Sequence, residues 1–246
     1  MPRIVDQGVC LRHWDWSETS QTVSILTRAH GVVRGLAKGA KREKAPFSGG
    51  IELATRGEVV FIPKAGTLAT LTAWDLQELF PGVRASAAGF FASMYLLDLA
   101  HHFVQEGDPH PVVFDTLVAS LRAVGGPSAT AAILAMQWTC LHEAGLGPVL
   151  DRSVATGEPL ARASSYGLDA HLGGLVADPG PSPPSGVFRV RAETVELLRD
   201  LAPGVLVDTP PERGGAMERA ARLLSAVTHH ALGRAVPSSA PLFGGT

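Results

Sequence analysis

Residues 4–72 offer five or six short β-prone runs punctuated by tight turns, and this spacing constrains the fold more than anything else in the chain. Residues 4–14 carry Ile4, Val5, Val9, Cys10 and Leu11, with Gly8 interrupting the alternation. Residues 22–27 are rich in β-branched side chains, His30-Gly31 supplies a turn, and residues 31–37 follow, which predicts a hairpin. Residues 15–20 predict a turn or one short helical segment. Residues 39–50, with Pro46 and Gly49-Gly50, break the pattern, and residues 51–54, 59–62 and 68–72 predict further strands. So many short strands cannot hide the edges of an open sheet, whereas a closed or partly closed small barrel removes them. An OB barrel is one solution of this size; periodicity alone does not choose it over another small β fold.

Near Pro81 the texture changes. Residues 85–103 lack proline and repeat large groups at helical spacing: Phe91, Tyr95, Asp98 and His102 on one line, Phe90, Met94, Leu97 and Ala100 on another. Residues 111–124 and 128–143 predict further helices, separated by Gly125-Gly126-Pro127, with Ser128 as an N-cap and Gly145 as a stop. Their alanines permit close approach in one packed bundle. Residues 145–186 lack clear period, and 179–186 read as a loop. Two more helices are expected at 192–201 and 211–232, with Pro210-Pro211 pre-organising the second and Gly214-Gly215 weakening its first turn. Residues 237–246 read as irregular. The expectation is an α+β chain: a β barrel over residues 1–80, then a helical domain over 81–246 with an irregular insertion at about 146–188.

At 246 residues there is room for one large core or two modest ones, and 46% apolar with 18% charged residues excludes global disorder. A net charge of −2 predicts no general attraction to nucleic acid. Its distribution is uneven: residues 1–80 carry 10 Lys/Arg against 8 Asp/Glu, and all four lysines lie there. Arg28, Arg34, Lys38, Lys41, Arg42 and Lys44 are opposed locally only by Glu43. A solvated turn and a phosphate-binding surface both fit that pattern.

The two cysteines, Cys10 and Cys140, sit in apolar runs and predict buried free thiols rather than a disulfide framework or a four-thiolate metal site. No apolar leader segment follows Met1 and no run reaches the roughly 20 apolar residues of a membrane span, so a cytoplasmic protein is expected. Residues 35–42 lack the spacing and Ser/Thr ligand of a nucleotide-hydrolysing phosphate loop. No metal-carboxylate nuclease cluster stands out, and the pairs His101-His102 and His229-His230 are expected to diverge around their helices. No catalytic set emerges, and the chain is expected not to be an enzyme.

Leu26-Thr27-Arg28-x-His30-Gly31, followed by Ala37-Lys38-Gly39-Ala40-Lys41-Arg42 and continuing through Lys44 and Phe47, resembles the signature segment of the bacterial RecO family. The helix at 90–102, Phe114-Asp115-x-Leu117, Leu141-x-Glu143-x-Gly145-x-x-Pro148, Pro237-Ser238 and Leu242-Phe243 have the family's order, so the resemblance spans nearly the whole chain. It implies an N-terminal OB domain joined to a helical domain. It also implies a mediator of recombinational repair, without a cofactor of its own, that binds single-stranded and double-stranded DNA and promotes annealing. Implied partners are RecR and single-stranded DNA-binding protein, with indirect cooperation in RecA loading; the implied location is the cytoplasm, at the nucleoid during repair. The alternative is a docking adaptor with negligible DNA affinity.

On that reading Lys38, Lys41, Arg42 and Lys44 are the leading DNA contacts, since long cationic side chains neutralise phosphates without reading sequence. Arg28 and Arg34 would extend the surface. Trp14, Trp16 and above all Phe47 are candidate stacking groups. Many relatives carry two Cys-x-x-Cys pairs; the matching positions here are Ser153, Thr156, Ala177 and Gly180, so no zinc is expected.

Overall fold

The computed structural model describes residues 2–47, 49–206 and 213–244. Five strands come first: β1 (Ile4–Asp15), β2 (Gln21–Thr27), β3 (Gly31–Ala37), β4 (Arg56–Ile62) and β5 (Ala69–Glu78). Their order is β1-β2-β3-β5-β4, with β4 returning to β1. All neighbours are antiparallel except β3 and β5, whose short parallel pairing closes an OB-type barrel. The predicted hairpin is β2–β3, turned at Gly31 with φ 66°, where a Cβ would lie 2.4 Å from the Asp108 carbonyl oxygen. The strand expected at 51–54 is absent. Ile51 and Ala54 are fully buried without joining a strand, Ile51 in the barrel interior and Ala54 in the core shared with the helices.

β1 serves two neighbours, pairing with β4 along Ile4 to Val9 and with β2 along Gly8 to Asp15. A register shift between Cys10 and Arg12 bends it around the barrel. Gly8 faces Gly57 across β1 and β4, and a Cβ on Gly57 would come within 2.9 Å of the Trp74 ring. A Cβ on Gly8, the glycine that spoils the alternation, would lie 2.5 Å from the Ile25 side chain, so the two glycines together leave volume for the side chains that fill the barrel. Val23, Ile25, Val33, Phe61 and Leu71 complete that interior. The opposite faces are also covered: Val9, Leu26 and Val32, paired across three strands, belong with Leu11 and Ala54 to the core of the helical part.

The chain leaves the barrel through fully buried Phe80, at φ 49°, and enters α1 (Pro81–Ala85). Next come α2 (Ala87–Phe103), α3 (Pro111–Ala123) and α4 (Ala129–Glu143). Ser86 caps α2 by accepting from Gly89 N–H at 3.1 Å. Ser128 holds the N-cap position of α4, but its hydroxyl makes no capping bond. Every residue from Ala131 to Leu141 is buried, so α4 is the central helix. Gln137, the long polar side chain within that buried stretch, donates to Tyr95 Oη at 2.9 Å and to the Ala221 carbonyl at 3.0 Å.

The insertion read as irregular at about 146–188 is only partly so. It holds β6 (Ser165–Asp169) and β7 (Gly174–Val176) and runs into β8 (Val187–Arg191), an antiparallel sheet of order β7-β6-β8. Strands of three to five residues, with Gly167 and Gly174 in them, give too short a period-2 signal to read. Then follow α5 (Ala192–Arg199) and α6 (Gly214–Leu232), ended by Gly233 at φ 64°. The expected start at Pro210-Pro211 lies outside the described residues. The tail is not irregular either: a 3-10 turn (Pro237–Ser239) and α7 (Ala240–Phe243) pack on α2, with Phe243 edge-on to Tyr95 at 5.5 Å.

The zinc-ligand positions hold no ligand set. Ser153 is buried, and Val154 N–H donates to the Leu175 carbonyl at 2.8 Å. Asp178 accepts two bonds from Arg189, one from Ser165 Oγ at 2.5 Å and one from Gly180 N–H. The Asp178 carboxylate and backbone hydrogen bonds hold this segment together. Cys10 and Cys140 are buried free thiols, and burial pushes both up in pKa.

Candidate nucleic-acid interface

Residues 38–47 leave β3 as a loop whose backbone is tied down at several points. Gly39 N–H donates to Ser20 Oγ at 3.0 Å and Lys41 N–H to the Thr19 carbonyl at 3.0 Å, so the loop lies against the β1–β2 turn. Arg42 N–H reaches back to the Gly39 carbonyl, and the Pro46 carbonyl accepts from Trp74 N–H at 2.8 Å. Fully buried Ala40, Phe47 at 3% exposure, and Ile51, whose amide donates to Gln21 Oε1 at 2.9 Å, plug it into the barrel.

The cations lie on the outside of this anchored loop. Lys38, Lys41, Arg42 and Lys44 are all exposed. Lys41 Nζ sits 2.6 Å from Asp15 Oδ1, and that hydrogen bond holds the Asp15 carboxyl below its ordinary value. Lys38, Arg42 and Lys44 have no acidic partner among the described residues. Glu43 stands exposed between them.

Arg28 and Arg34 are placed differently. Arg28 makes a two-pronged pair with Asp115 of α3, at 2.9 and 2.8 Å, which raises its pKa further. Arg34 lies 3.3 Å from Glu106 in the α2–α3 connection. Both tie the barrel to the helices, and their charge is largely answered by protein. Phe47 does not belong to the surface at all: it is packed with Ile51, Phe61 and Trp74, and no base can stack on it in this fold. An aromatic after a basic run is pulled inward here because the loop needs an apolar anchor. Trp14 and Trp16, by contrast, are 51% and 65% exposed.

Two features escaped the sequence reading. Lys64, exposed on the β4–β5 loop, borders the same groove as Arg34 and His30; confinement of all lysines to residues 1–80 was the available signal. His101 and His102 do not diverge: their rings lie 5.4 Å apart and both border one cleft, because the last turn of α2 abuts the barrel. Among the described residues no cluster of three or more His, Cys, Asp or Glu is arranged to hold a metal, and no helix is long and apolar enough to cross a membrane.

Two family models match the chain: "Recombination protein O N terminal" over residues 1–80 and "Recombination protein O C terminal" over 87–238. Among individual relatives, the DNA repair protein RecO of Rhodopirellula baltica is 32% identical over 79% of this chain and 73% of its own length. That of Myxococcus xanthus is 28% identical over 97% and 96%. That of Anaeromyxobacter dehalogenans (strain 2CP-C) is 31% identical over the full length of both.

Proposed function

The chain belongs to the RecO family of DNA repair proteins, and from that premise we propose that it is a noncatalytic DNA-binding mediator of recombinational repair. The observation that carries this reading is the anchored loop after β3, which holds exposed Lys38, Arg42 and Lys44 with no acidic partner among the described residues. Cations held on a fixed backbone bind phosphates of any sequence and lower the repulsion between two approaching strands, while the bases stay free to pair. Annealing of complementary single strands needs nothing further: no nucleotide, no metal and no covalent step. Handover of the annealed or coated strand then involves RecR, single-stranded DNA-binding protein and, indirectly, RecA. The whole operates in the cytoplasm, at the nucleoid.

The test is direct. Purified protein titrated against fluorescent single-stranded and duplex DNA at low salt should bind both, and it should speed annealing of complementary strands without nucleotide or divalent metal. Binding to a partner protein with no DNA binding at low salt would replace this reading with that of an adaptor; metal-dependent cleavage would replace it with an enzyme.

A further inference from the structure

Where the last turn of α2 meets the outer face of the barrel, a cleft of about 420 Å³ opens beside Trp14. Strand register builds its wall: Arg12 stands opposite Ser24, Ser24 opposite Arg34, and Trp14 opposite Thr22 in the next row. His101 and His102 of α2 and Glu106 also line it. Trp14 is 51% exposed, whereas Trp74 and Trp138 are 2% and 4% exposed, so this indole face is left to solvent.

Two atoms behind the wall have almost no accessible surface and no protein partner among the described residues: Oγ of Ser24, a residue only 1% exposed, and Nδ1 of His101. Such groups cost free energy unless a ligand or water meets them. The charges that line the cleft, Arg34 and Glu106, pair at 3.3 Å, and the neighbouring Arg12 is paired with Asp98 at 2.8 Å. Burial, helped by the nearby Arg12, pushes His101 down to about 4, so its ring is neutral at pH 7. A phosphate would find no free cation here. A flat ring would find the half-exposed indole of Trp14.

We propose that this cleft receives an unpaired base of single-stranded DNA, stacked on Trp14 against the wall formed by Ser24 and His101. The inference rests on the DNA-binding reading above. Arg34, Leu36 and Lys38 follow one another on the outward side of β3 and its continuation, so a backbone held at Lys38 passes beside the row that carries Trp14. Duplex DNA, whose bases stay stacked, has nothing to place in the cleft.

The experiment uses the full chain, a fluorescein-labelled single-stranded oligonucleotide, and a duplex of equal length. Trp14→Ala, at a half-exposed position, should weaken single-strand binding by about 5- to 100-fold. It should leave duplex affinity and the salt slope of single-strand binding unchanged, because no phosphate contact is lost. Ser24→Ala, which removes only the hydroxyl, should produce the same selective loss on a smaller scale. Unchanged single-strand affinity in Trp14→Ala, an equal loss on both DNA forms, or a reduced salt slope would each overturn the cleft while leaving the basic loop standing. Failure of the wild type to bind either form at low salt would instead remove the DNA reading, and the cleft with it.

Discussion

A cation that already faces a carboxylate has less to offer a phosphate than one that faces water. Lys41 is committed to Asp15, whereas Lys38, Arg42 and Lys44 are not. Lys41→Gln should therefore weaken single-strand binding less than Lys38→Gln, Arg42→Gln or Lys44→Gln. Each of those three should also lower the salt slope by about 0.7. Binding isotherms at several salt concentrations check this; equal effects at all four positions would show that the Asp15 pair opens on DNA. Phe47 calls for the opposite assay. Its removal acts on stability, and Phe47→Ala should cost about 3–5 kcal/mol in denaturant unfolding, while Phe47→Leu, if folded, should bind DNA as the wild type does. The cluster of basic residues was legible in the sequence because like charges in a short run have nowhere to go but outward. The direction of Phe47 was not, because an aromatic beside cations suits a stacking platform and a loop anchor equally well until the barrel wall is in place.

At the scale of elements, the loop of residues 38–47 acts as a unit. Replacing Lys38, Lys41, Arg42 and Lys44 together with Glu should abolish most single-strand and duplex binding irrespective of DNA sequence, while circular dichroism stays that of the folded protein. Undiminished affinity and salt slope in that variant would reject the loop as the principal DNA surface. The β6–β8 sheet makes a different demand, since Asp178 ties it together through Arg189, Ser165 and the Gly180 amide. Elemental analysis should find well below one zinc per chain. Asp178→Ala should speed hydrogen exchange of β6 and β8 amides more than those of β1–β5. Arg189, then Ser165 and the Gly180 amide, hold the Asp178 carboxyl far below its ordinary value. Its contribution is therefore complete above the unfolded carboxylate pKa of about 3.9 and is lost as pH falls through the folded value, leaving β6–β8 fully protected at pH 7. Long or well-punctuated elements were legible, β2–β3 from Gly31 and α2 from its spacing. The short strands β6–β8 and the tail helix were not, because three to five residues carry no resolvable period and owe their form to the surfaces they pack on.

At the scale of the whole molecule, the change of texture at Pro81 suggests two parts joined in series, yet the side chains do not respect that boundary. Val9, Leu11, Leu26, Val32 and Ala54 leave the barrel interior to others and join the core built by α2, α3 and α4. Around that apolar seam, Arg12 pairs with Asp98, Arg28 with Asp115 and Arg34 with Glu106. Arg56 of β4 and Arg122 of α3 share Glu78, whose carboxyl they hold below its ordinary value. Periodicity could not disclose this, because a strand buried on both faces reads only as an apolar run. A seam of this kind couples the stabilities of barrel and helices, since neither can unfold without exposing the other's buried surface. The two should therefore unfold in a single transition. Trp74 lies inside the barrel, and most helical signal comes from residues beyond it. In a variant carrying Trp14→Phe, Trp16→Phe and Trp138→Phe, Trp74 fluorescence reports the barrel and far-ultraviolet circular dichroism reports the helices, in one and the same protein. Urea titrations followed by both signals should superimpose, with one midpoint and one slope. A fluorescence transition displaced from the dichroism transition would show that the barrel opens on its own, and that the shared row of Val9, Leu26 and Val32 does not bind the two parts into one folding unit.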